Sequence, residues 1–207
     1  MRTATKEQQE AINLYAAILE EARIRLSSIT AATGDSTGLP TQLAMEYCYL
    51  QLRMLCELIA LGCLTAHGDI TGAKSPKLQK EWSADKIMGG LEALNPNFYP
   101  HPVQLTSDPG RLHIDRLTSG FLTKGELIRL YGKCGDRLHR GTLKKLIGQK
   151  VVHTAAYDEV ITWTNKIVVL LKEHHIASID NLTHFICQLA AGGHARVALA
   201  LSPLPSP

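Results

Sequence analysis

The sequence predicts an all-α fold: an antiparallel helical bundle over residues 1–178, with a small β-hairpin and tail appended over 179–207. Three observations predict it. Apolar residues recur at steps of three and four through several long segments, the spacing of an amphipathic helix. Helix-start chemistry precedes those segments, most clearly at Thr123 and Glu126, which have the spacing of a capping box. Near the C-terminus, THFICQL and ARVALAL flank Gly192-Gly193, as in a hairpin with a glycine turn.

Taken in order, residues 5–28 form a first helix whose apolar stripe runs through Ile12, Tyr15, Ala16, Leu19, Ala22 and Ile24 to Leu26. TAATGDSTGLP, rich in Gly, Thr and Pro, is a loop. A second helix spans about Thr41–His67, its seam traced by Leu43, Tyr47, Leu50, Met54, Glu57, Leu61 and Leu64. Glu57 stands where a leucine belongs, so its carboxylate needs a partner, and Arg53 lies one turn back.

Residues 68–80 read as a polar connection. WSADKIMGGLEAL is a short helix with Ser83 as N-cap and Trp82 and Ile87 as a hydrophobic staple. The prolines of NPNFYPHPV end it, and residues 100–120 are expected to be extended and irregular. The helix opened by Thr123 buries Leu127, Leu130, Tyr131, Cys134 and Leu138, with His139 on the border of that stripe. A last long helix covers about Ala155–His175, turning Tyr157, Val160, Ile161, Thr164, Ile167, Val168 and Leu171 inward. His174 and His175 then sit at its negative pole.

At 207 residues, with 45% hydrophobic and 20% charged content, the chain fits one soluble domain. The N-terminus has no apolar leader, and the most apolar stretch, LRMLCELIALGCLTAHG, is interrupted by Arg53 and Glu57. A soluble cytoplasmic protein without a membrane partner is expected. The five cysteines lie on apolar faces without paired C-x-x-C spacing, which predicts reduced buried thiols, no metal and no cofactor.

The net charge of +3 is unevenly spread. Residues 124–150 carry 8 basic and 2 acidic side chains, so this segment holds a +6 excess that the rest of the chain offsets.

A helix carrying LRMLCELIALG and a later helix ending in LYGKCGDRLHRG resemble the HEPN superfamily of helical domains. The resemblance covers residues 5–175 as architecture and about thirty residues as motif. It implies a homodimer in a prokaryotic defence or accessory system. Catalytic members resemble metal-independent ribonucleases with an arginine, four to six residues, then a histidine. Here His139 fills the histidine position, Lys133 the arginine position and Cys134 the polar position that follows. Lysine is a point charge without the planar fork of arginine. By this measure the chain looks closer to members that lack the catalytic pair.

The resulting expectation is a non-catalytic interaction domain that contacts RNA through Lys133, Arg137, Arg140, Lys144 and Lys145. Arg53, Glu57 and Tyr131 form its buried polar group. The enzymatic alternative is an endoribonuclease in which His139 is the acid/base and Lys133 or Arg137 binds phosphate. The third is a structural module whose C-terminal hairpin edge pairs with another protein.

Overall fold

The computed structural model describes residues 3–34, 36–68, 72–108, 111–139 and 157–203. Helices come first: α1 (Lys6–Thr33), α2 (Thr41–Ala66), the single turn α3 (Pro76–Gln79) and α4 (Ala84–Leu94). Strands β1 (His101–Asp108) and β2 (Arg111–Arg116) follow, then α5 (Lys124–Leu138) and α6 (Asp158–Lys172). The described chain closes with β3 (Glu173–Ala177), β4 (Thr183–Ala191) and β5 (His194–Leu201). All five strands form one antiparallel sheet in the order β2-β1-β3-β4-β5.

The fold is therefore mixed helix and sheet, which corrects the all-α expectation. Two segments account for the difference. HPVQLTSD and RLHIDR pair in register from Val103↔Arg116 to Asp108↔Arg111, where an irregular stretch was expected. The last helix ends at Lys172 rather than His175, and EHHIA continues as a strand with alternating burial. Five residues at period two are too few to stand out against a helical reading. The C-terminal hairpin is no appendage either: β4 pairs with both β3 and β5, and α1 lies against β5. Its turn places Gly192 and Gly193 at φ of 66° and 91°, where a side chain would be strained.

The helices follow their sequence signals at the ends and depart from them in the middle. Thr5 with Gln8 and Thr123 with Glu126 each close a reciprocal capping box. Ser83 caps α4 by position, but its hydroxyl bonds Asp85 instead of a backbone amide, and Trp82 is exposed rather than stapled to Ile87.

The predicted seam of α2 is the larger correction. Cys48, Leu52, Leu55, Cys56, Ile59 and Cys63 are buried, whereas Leu43 and Leu50 of that seam are exposed. Because α1, α4 and α5 all pack on α2, it is apolar on most sides and periodicity cannot single out one stripe. At 26 residues α2 is also long and apolar enough to cross a membrane, yet 67% of its most apolar window is buried within the protein, as in the core helix of a soluble fold.

Candidate functional site

The sequence motif on α5 resolves into two polar groups on its border with α2 and α6. In the first, the Arg53 guanidinium lies 4.3 Å from the Tyr131 ring centroid and donates from Nη2 to the Tyr131 hydroxyl at 2.8 Å. That hydroxyl donates to Glu57 Oε1 at 3.1 Å, and Arg53 Nε is 3.3 Å from the same oxygen. Glu57 is thus partnered by the cation one turn back and by α5. Burial raises the Tyr131 pKa, with Glu57 adding to the effect.

In the second group, Lys133 pairs with Glu159 of α6, and the Tyr49 hydroxyl donates to Glu159 Oε2 at 2.8 Å. Arg137 approaches the same carboxylate at 3.9 Å and lies 5.5 Å from the Tyr49 ring centroid. Burial opposes ionisation of Glu159, but the bonds from Lys133 and Tyr49 prevail and its pKa is lowered. Burial pushes the Cys134 thiol up to about 12, which keeps it protonated at neutral pH and removes it as a nucleophile.

The cations of this face are largely answered by carboxylates. Lys124 pairs with Glu92, Lys166 with Glu126, and Arg129 lies 3.9 Å from Glu126. His139 follows the end of α5 as its C-cap, exposed, with its backbone N–H donating to Gly135 at 3.1 Å. Arg140, Lys144 and Lys145 lie outside the described residues, and with them Lys150. Residues 124–139 account for four basic and two acidic side chains, or +2 of the +6 excess.

The open face of the sheet carries what sequence reasoning missed. His101, His175 and His184 stand on β1, β3 and β4, on the side away from the helices. His175 Nε2 is 3.0 Å from His184 Nδ1 with the rings stacked, and His184 Nε2 is 2.9 Å from Ser202 Oγ. Burial and the neighbouring His184 push His175 down to about 4, so its ring stays uncharged at neutral pH. Among the described residues, no group of three or more His, Cys, Asp or Glu is placed to hold a metal ion.

His174, expected at a helix end, is instead fully buried on the inner face of β3. Its Nε2 accepts from the Tyr15 hydroxyl at 2.7 Å, and its Nδ1 faces the Leu171 carbonyl at 3.2 Å.

Beyond the histidines, β1 and β2 run on past the start of β3 as a two-stranded arm. The gap left between β1 and β4 is closed by one side chain. Glu173 accepts the Leu105 backbone N–H at 3.0 Å on one oxygen and the Gln188 amide at 3.0 Å on the other. Outside this bridge lies a groove of about 310 Å³, between Leu105, Ser107 and Leu112 of the arm and Ile186, Gln188 and Arg196 of the hairpin.

All of β2 from Leu112 to Arg116 is exposed, including Leu112 at 49% and Ile114 at 38%, as is Leu117 at 38% just beyond it. The signal for the arm was present in the sequence as two alternating runs flanking Pro109-Gly110.

Compared with protein-family models, with curated proteins and with solved structures, the chain has no match in any of the three.

Proposed function

We propose that this protein is a non-catalytic, cytoplasmic interaction domain that binds other protein through the arm and open face of its sheet. The observation that carries the proposal is the exposure of Leu112, Ile114 and Leu117 on a two-stranded arm. A lone hairpin is marginal in water, and an unpaired edge with apolar side chains is a template for another chain. The enzymatic reading draws less support. A phosphate-cleaving site needs a cation free to meet phosphate beside the histidine, whereas Lys133 and Arg137 turn to Glu159.

A second reading, RNA contact through residues 124–150, draws on Arg129 and Arg137, whose side chains are 67% and 58% exposed. One experiment separates them. The full chain is immobilised and exposed to lysate of the source organism and, separately, to a single-stranded RNA oligonucleotide. The interaction reading expects captured protein to be lost in Leu112→Asp/Ile114→Asp and kept in Arg129→Ala/Arg137→Ala, with the RNA left intact. RNA cleavage that disappears in His139→Ala would overturn it. So would capture that is indifferent to the arm.

A further inference from the structure

We infer that the occupant of the β2 edge is the β2 edge of a second copy of this chain, joined about a two-fold axis through Ile114. This inference rests on the reading of the arm as a binding surface.

The Leu117 N–H bonds to Pro102 at 2.9 Å, and with the β1–β2 register this fixes which residues of β2 face β1. Arg111, His113 and Asp115 turn their backbone groups towards β1, so those of Leu112, Ile114 and Arg116 point to the free edge. Two such edges hydrogen-bond as an antiparallel pair only when edge-facing residues oppose edge-facing residues, which leaves registers two residues apart.

Centred on Ile114, the register sets Ile114 against Ile114 of the second copy and Leu112 against its Arg116. On the opposite face His113, whose Nε2 lies 3.3 Å from Asp108 of its own chain, then meets Asp115 of the second copy, an imidazole against a carboxylate. Leu105 pairs with Ile114 within each chain. The dimer would therefore carry one apolar row, Leu105 and Ile114 followed by Ile114 and Leu105 of the second copy. Shifting one way puts Asp115 against Asp115 and shortens the overlap; shifting the other puts His113 against His113. No proline or lysine interrupts β2, two residues that commonly block edge pairing.

A single short strand pair buries less than the about 1,200 Å² of a standard stable interface, so the association is expected to be reversible and to dissociate on dilution. A symmetric pairing of this kind is isologous and closes at two.

The test uses sedimentation velocity on the full chain across a concentration series. The wild type is expected to move from 22.7 kDa towards twice that mass as concentration rises. Ile114→Lys sets two ammonium groups face to face and is expected to stay monomeric, with an unchanged melting midpoint because the residue is partly exposed. Ile114→Cys is expected to form an intermolecular disulfide under mild oxidant, since hydrogen-bonded strand partners stand about 5.5 Å apart at Cα. His113→Cys should not, and the five native thiols are buried.

A wild type that stays monomeric throughout, a dimer that survives Ile114→Lys, or cross-linking at 113 in place of 114 would overturn the inference. If the wild type is monomeric while arm variants still lose captured protein, self-pairing fails and the binding reading stands. If Ile114→Lys both dimerises and captures protein like the wild type, both fail.

Discussion

At the scale of single residues, burial decides which side chains pack and which polar groups can ionise. Tyr131, Cys134, Leu127 and Leu130 were legible as the buried stripe of α5, and all four are buried. The histidines were not, because their surroundings come from strands that a local pattern does not reveal. His174 shows the consequence. Burial pushes it down to about 4 from an ordinary 6.5, against a smaller opposing effect of its bond to Leu171. The folded pKa lies below the unfolded one, so as pH falls below about 6.5 the unfolded chain takes up the proton first. Stability conferred by the neutral ring is complete above that pH and is lost between roughly 6.5 and 4, by about 3 kcal/mol at the acid end. Urea unfolding followed across this range should show the loss. His174→Gln, which can still accept from Tyr15 but cannot titrate, should make it shallower, with His175 still contributing. An identical slope in the variant would assign the acid sensitivity to other groups.

At the scale of elements, α1 and α5 were readable because each keeps one apolar face and a capping box to mark its start. The middle of α2 was not, since a helix surrounded by others has no single stripe to find. The arm was missed for a different reason. Its strands have the right alternation, but much of their apolar face meets solvent, so nothing in a burial argument called for them. Glu173 is the element's anchor, standing in for the strand that β3 fails to supply opposite Leu105. Glu173→Ala leaves the Leu105 amide and the Gln188 side chain without this acceptor. We expect trypsin to cut faster after Arg111 and Arg116, with a global loss of about 1–2 kcal/mol. Unchanged cleavage would mean that the β1–β2 pairing alone fixes the arm.

At the scale of the whole molecule, helices and sheet divide the labour. α1 and α6 cover one face of the sheet and α2 packs on those helices, while among the described residues no element covers the other face or the β2 edge. The basic excess that drew attention in the sequence is partly neutralised by Glu92 and Glu159, which come from two other elements, α4 and α6. That pairing is a property of the fold and could not be seen along the chain. β2 ends the sheet as a free strand edge, and amide hydrogen exchange read residue by residue tests this. In dilute protein His113 and Asp115, bonded to β1, should exchange slowly, while Leu112, Ile114 and Arg116 exchange fast and gain protection as concentration rises. Uniform protection along β2 in dilute protein, or no protection anywhere in it, would contradict the account.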